Sequence, residues 1–164
     1  MAVQIKVEMN KRLSFLLLLY ILSSTACIDS AVVDKNEELK HHNWSYIQKI
    51  NIPVVIEDTT LKYNLYMNLR HTAAYKYSNI FVKIHQIEPD GKRSVERKEF
   101  QLAYPDGEWL GSGSGNIYSY QLLFRQDYQF PRKGKYIFSF EQNMRDNPLR
   151  EITDVGLRVE PAGR

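Results

Sequence analysis

Residues 50–164 predict an all-β domain, an antiparallel β-sandwich of jelly-roll or immunoglobulin-like type with about seven to eight strands. Three observations predict it. Apolar residues recur at every second position in run after run; turn-forming residues separate the runs at short intervals; and no stretch shows the period of roughly 3.6 residues that a helix imposes. Parallel strands need long, usually helical crossovers, so this pattern favours antiparallel pairing. A barrel is the remaining all-β alternative.

The first run is Ile50, Ile52, Val54 and Ile56, with Pro53 between them. Proline cannot donate to a ladder, so this strand belongs at a sheet edge. Tyr63, Leu65, Met67 and Leu69 then alternate with Asn64, Tyr66, Asn68 and Arg70, giving one dry and one wet face. The alternation returns at Ile80, Val82 and Ile84, at Phe100, Leu102 and Tyr104, and at Tyr118, Tyr120, Leu122 and Phe124. It closes with Tyr136, Phe138 and Phe140, then Val155, Leu157 and Val159. Between these runs stand Pro89-Asp90-Gly91, Pro105-Asp106-Gly107, the stretch from Pro131 to Gly134, and Asn147-Pro148, all turn chemistry. The 11 tyrosines and 7 phenylalanines serve such a fold as core and cross-strand material.

Ahead of this region the chain reads as an export signal. Lys6, Lys11 and Arg12 flank a continuous apolar run over residues 13–22. As a helix that run spans about 15 Å, against roughly 30 Å of hydrocarbon in a bilayer, so it is too short for a stable anchor. Ser23, Ser24, Thr25 and Ala26 follow, and then Cys27, the only cysteine. The arrangement resembles a lipobox, with Ser24 where leucine is usual. Residues 1–26 are read as a lipoprotein signal peptide, and residues 27–49 as the lipidated cysteine and a charged tether. The alternative is an ordinary signal cut near Ala26, which leaves a solitary thiol in an oxidising compartment. Lipidation accounts for both the place and the solitude of Cys27, and several acyl chains grip a membrane far better than one.

Removing the signal takes away Lys6, Lys11, Arg12 and Glu8, so the formal charge of +3 falls by two to +1. The basic character belongs mostly to the signal and points to no nucleic acid partner.

Searches for chemistry return structural readings. Gly111-Ser112-Gly113-Ser114-Gly115 lacks the serine placement of a nucleophile elbow, and no Lys-Ser/Thr pair follows it as in a P-loop, so it is read as a loop. His41 and His42 are adjacent in the tether, while His71 and His85 stand singly; none has metal-ligand spacing, and no metal or cofactor is expected beyond the lipid on Cys27. Glu141, Asp146, Glu151 and Asp154 cluster towards the C-terminus without an acid–base signature, and no enzymatic activity is expected. Trp109, with Tyr118 and Tyr120, offers an aromatic surface for sugar stacking; burial in the core is the competing reading. Asp29-Ser30-Ala31 and Asp58-Thr59-Thr60 look like O-glycosylation acceptors of Bacteroidetes, which makes Ser30 and Thr59 candidates.

Six runs carry a family resemblance: YNLYMNLRHT (63–72), YSNIFVKI (77–84), YPDGEWLGSGSGNIY (104–118), FPRKGKYIF (130–138), EQNMRDNPL (141–149) and DVGLRVE (154–160). In this order they resemble the GldH family of gliding-motility lipoproteins. The pattern leads one to expect a glycine before Ile152, where this chain has Glu151. The resemblance implies a non-enzymatic outer membrane lipoprotein of Bacteroidetes, acting beside other gliding or type IX secretion envelope proteins. Family members also occur in bacteria that do not glide. Surface-exposed lipoproteins of this phylum tend to carry acidic runs after the cysteine, and here only Asp29 stands there, which favours the periplasmic face. Partner contacts are expected on the loops 111–116 and 143–154, with Trp109, Arg145, Asp146, Asn147 and Asp154 as candidate residues, since binding groups are commonly carried on loops of a rigid scaffold. The alternative function is a glycan-binding surface lipoprotein using the aromatics around Trp109.

Overall fold

The computed structural model describes residues 31–163; Cys27, Ser30 and the signal segment lie outside them. In chain order the strands are β1 (Val33–Glu38), β2 (Asn43–Trp44), β3 (Ile50–Ile56), β4 (Tyr63–Thr72), β5 (Asn79–Ile87) and β6 (Arg93–Gln101). Then come β7 (Ser112–Ser114), β8 (Ile117–Tyr128), β9 (Gly134–Gln142), β10 (Leu149–Arg150) and β11 (Ile152–Pro161). Among the described residues no helix is long and apolar enough to cross a membrane.

One sheet runs β1, β11, β4, β8, β7 and the other β3, β9, β5, β6, while β2 and β10 pair by themselves. All these ladders are antiparallel. Apart from the three short strands, the chain lays eight long strands in a jelly-roll order: β1, β11, β4, β8 face β3, β9, β5, β6. The sandwich class is as the alternation predicts, and the pairing order selects the jelly roll over the immunoglobulin-like arrangement. Pro53 lies on β3, an edge strand as expected.

The alternating residues meet between the sheets. Phe124 of β8 stands 6.2 Å from Phe138 and 6.0 Å from Phe140 of β9, ring centre to ring centre. Phe130, in the β8–β9 connection, packs 5.4 Å from Tyr63 and 4.7 Å from Tyr136, in the edge-on and tilted geometries that aromatic quadrupoles favour. At the open side Arg125 of β8 bonds Glu96 of β6 at 2.8 Å and also reaches Gln86 of β5, tying one sheet to the other.

Three expectations are corrected. The segment read as a tether is largely part of the fold: β1 pairs with β11 from Val33↔Val159 to Glu38↔Asp154, and Leu39 and Trp44 are fully buried. Its charged sequence hides it, because Lys35 and Glu37 fall on one face of an edge strand and pair with each other at 3.3 Å instead of entering the core. Of the run expected at Phe100–Tyr104 only Phe100 lies on a strand, at the end of the longer β6, whose charged residues are tolerable because it is also an edge; Leu102 and Tyr104 lie beyond it. The loop reading of Gly111–Gly115 gives way to the short strand β7 on β8; a Cβ at Gly113 would lie 2.7 Å from the Tyr118 ring, so glycine permits that approach.

Candidate interaction site

At the end of β4, His71 is fully buried. Its Nδ1 lies 2.8 Å from the Thr72 carbonyl, which can only accept, so Nδ1 carries a proton. Nε2 then accepts and faces the Tyr120 hydroxyl at 3.0 Å, whose single proton is shared with the Leu102 carbonyl at 2.9 Å. Burial pushes the His71 pKa down from its ordinary 6.5, against the opposing bond to Thr72. Burial likewise pushes Tyr120 up to about 12, and the Gly111 backbone opposes it. Trp109 seats its ring 4.4 Å from His71 in a T-shaped contact and 5.8 Å from Tyr118. It is half-buried within this cluster, so it is not a free stacking platform.

Beside this cluster a cleft of about 620 Å³ is lined by Lys76, Tyr77, Arg145, Asp146, Asn147 and Glu151, among others. Gln142, fully buried at the end of β9, shapes its wall: its amide donates to the Asp146 carbonyl at 3.0 Å, and its side-chain oxygen accepts from Met144 N–H at 2.8 Å. Lys76 meets Asp146 at 2.5 Å, and this bond holds the Asp146 carboxyl below its usual range. Asn147 reaches across to the β2–β3 connection, where its side-chain oxygen accepts from Ser45 Oγ and from Tyr46 N–H, each at 3.1 Å. At that tip Tyr46 is 51 % and Ile47 81 % exposed. The floor is Glu151, whose φ of +69° is a left-handed conformation that favours glycine. The resemblance leads one to expect glycine at this position, and the positive φ is the reason glycine suits it.

The predicted site residues therefore separate. Arg145, Asp146 and Asn147 share the cleft. Trp109 sits in the His71 cluster, and Asp154 lies on the outer face of the five-stranded sheet, 4.0 Å from Arg70. Thr59 is half-buried, and its carbonyl accepts from Gln129 at 2.9 Å. The four C-terminal carboxylates each have a separate partner: Glu141 with Lys49, Lys83 and His85, Asp146 with Lys76, Glu151 with Thr72, and Asp154 with Arg70. Among the described residues no group of three or more metal-ligating side chains converges. Sequence reasoning missed Lys76, Tyr46 and Ile47, because only the contact between Asn147 and residues 45–46 brings that tip to the cleft.

Residues 31–159 match the family model described as GldH lipoprotein. The chain is similar to the gliding motility lipoprotein GldH homolog of Christiangramia forsetii, 33 % identical over 153 residues that cover 89 % of this chain and 93 % of that protein. It is also similar to the gliding motility lipoprotein GldH of Flavobacterium johnsoniae, 32 % identical over 154 residues that cover 90 % of this chain and 95 % of that protein. No solved structure matches it.

Proposed function

Because the chain belongs to the GldH lipoprotein family, we propose that it is a non-enzymatic docking component of the gliding-motility envelope machinery. On this reading it is held at the periplasmic face of the outer membrane by lipid on Cys27 and meets other gliding or type IX secretion proteins through the rim of the 620 Å³ cleft. The observation that carries this reading is the tip at Tyr46 and Ile47. Two large apolar side chains stand in solvent beside the charged wall of Lys76 and Arg145, and Asn147 ties the tip to that wall through Ser45 and Tyr46. Apolar anchors with a polar, charged rim are the make-up of a protein interface.

The anchor fits this role. With β1 starting at Val33, the chain from Cys27 can reach at most about 20 Å, which keeps the domain close to the bilayer surface. A component kept so near the membrane is placed to contact the parts of its partners that emerge from it.

The test is in-cell crosslinking from a photoreactive residue at position 47, followed by mass spectrometry of the adducts, with Cys27→Ala and Arg145→Ala beside it. Adducts with gliding or secretion components, lost in Cys27→Ala and reduced in Arg145→Ala, are expected. A position 47 that captures no such component in its native membrane would exclude this rim as the docking surface.

A further inference from the structure

The outer face of the five-stranded sheet carries a second cleft, of about 430 Å³, away from the docking rim. Four strands supply its middle in register: Asn36 on β1 opposite Gly156 on β11, Gly156 opposite Asn68 on β4, and Asn68 opposite Gln121 on β8. Gly156 makes the dimple. A Cβ there would fall 2.1 Å from Asn36 Oδ1 and 2.3 Å from the Lys35 carbonyl, so only glycine lets the Asn36 amide lie across the sheet.

Asn68 is 8 % exposed although it points away from the core. Its Nδ2 donates to Asp34 Oδ1 at 2.8 Å and to Asn36 Oδ1 at 2.9 Å, which fixes the amide: nitrogen towards the acceptors, oxygen away from them. That oxygen is buried and has no hydrogen-bond partner. A buried acceptor left unpaired is a cost that folded proteins rarely retain without a water, an ion or a ligand to meet it. Around it Ser112, Ser119 and Gln121 make no side-chain hydrogen bond among the described residues, and Arg70 and Asp154 are only loosely paired at 4.0 Å.

We propose that this cleft binds a saccharide. The lining intersperses donors (Arg70, the Gln121 amide) with acceptors (Asp154, the Asn68 oxygen), and serine hydroxyls that do both. A sugar hydroxyl also donates and accepts at once, so a ring edge can satisfy neighbouring groups of both kinds. Other ligand classes fit less well. Asp34 with Arg158 and Asp154 with Arg70 leave no unopposed cation for an anion, no metal-ligating set converges among the described residues, and most of the lining is polar, which offers little to an apolar molecule. Arg70, half exposed and weakly held, is the side chain free to swing aside and let a hydroxyl reach the Asn68 oxygen. Any larger glycan presents the same hydroxyls at its end, so short oligosaccharides probe the shared chemistry.

The experiment is isothermal titration of the mature lipidated protein, in a detergent without a sugar headgroup, with maltotriose and with triacetylchitotriose. Ser119→Ala and Gln121→Ala remove hydrogen-bonding groups that hold nothing else in place. Glu99→Ala, on a separate cleft beside Asn79, is the control. Saturable binding of at least one trisaccharide is expected, weakened about fivefold or more in each of the first two variants at unchanged Tm, and unaltered in Glu99→Ala. No saturable binding by either sugar, or binding that survives both cleft variants, overturns the proposal. Neither result bears on the docking rim, which shares no residue with this cleft.

Discussion

Thr72 and Glu151 hold each other by two bonds: the Thr72 hydroxyl donates to the Glu151 carboxylate at 2.5 Å, and the Thr72 N–H donates to the Glu151 carbonyl at 3.0 Å. The pair fastens a residue in left-handed backbone to the last position of β4. A non-glycine residue there carries a strain of the order of 1 kcal/mol, and the carboxylate bond offsets part of it. Glu151→Ala keeps the strain and loses the bond, so a loss of about 1–2 kcal/mol in urea unfolding is expected. Glu151→Gly loses the bond and relieves the strain, so it is expected close to wild type. If alanine were as stable as glycine here, the bond and the backbone would both matter less than this account requires.

Gly156 is the second backbone constraint. Its Cβ would meet the Lys35 carbonyl as well as the movable Asn36 side chain, so Gly156→Ala must push β1 away from β11. Overpacking of this kind costs about 1–3 kcal/mol. Beyond lowered stability, hydrogen exchange should show faster amide exchange in Val33–Glu38 while β9 in the other sheet keeps its protection.

The buried His71 gives stability a dependence on pH. Its pKa is depressed by burial in the fold, so below about pH 6.5 the unfolded chain binds a proton that the folded one resists. Stability contributed by the neutral ring is therefore complete above that value and declines as pH falls through it. Glu141 titrates in a lower window: partial burial raises it, but bonds from Lys49, His85 and Lys83 outweigh this and hold it below its ordinary 4.5. Thermal unfolding measured between about pH 7 and about pH 5.5 should show the His71 component. His71→Gln, though less stable throughout, should have a flatter profile across that window. An equal slope in the variant would place the titration elsewhere.

Six of the eight long strands were legible in the sequence because their inner residues alternate as the pleat does, as Ile80, Val82 and Ile84 show on β5. β1 and most of β6 were not. Both are edges held by backbone ladders, and β6 buries only Phe100, so side-chain period carries little trace of them. The choice of a jelly roll also lay beyond local pattern, since it rests on pairings such as Val33 with Val159, far apart in sequence. The site was half legible. Residues 145–147 stood out as part of the 143–154 loop and do share a cleft, whereas the bond from Tyr46 to Asn147 spans 101 positions and has no local signature.

That bond separates docking from folding. Asn147 is exposed, and its side-chain oxygen holds the Ser45–Tyr46 segment without entering the core. Asn147→Ala therefore removes two solvent-accessible bonds, and a loss of about 1 kcal/mol or less is expected, with little change in Tm. The Tyr46–Ile47 tip, however, loses its fixed position beside Lys76 and Arg145, and a partner must then order it on binding, at about 0.5–1.5 kcal/mol per immobilised side chain. Crosslinking yield from position 47 should fall several-fold while the folded fraction stays constant. Tyr46→Asp should abolish the contact outright, since it places a charge where the interface has an apolar anchor. Wild-type yields in both variants would mean that the envelope partner binds another face of the jelly roll.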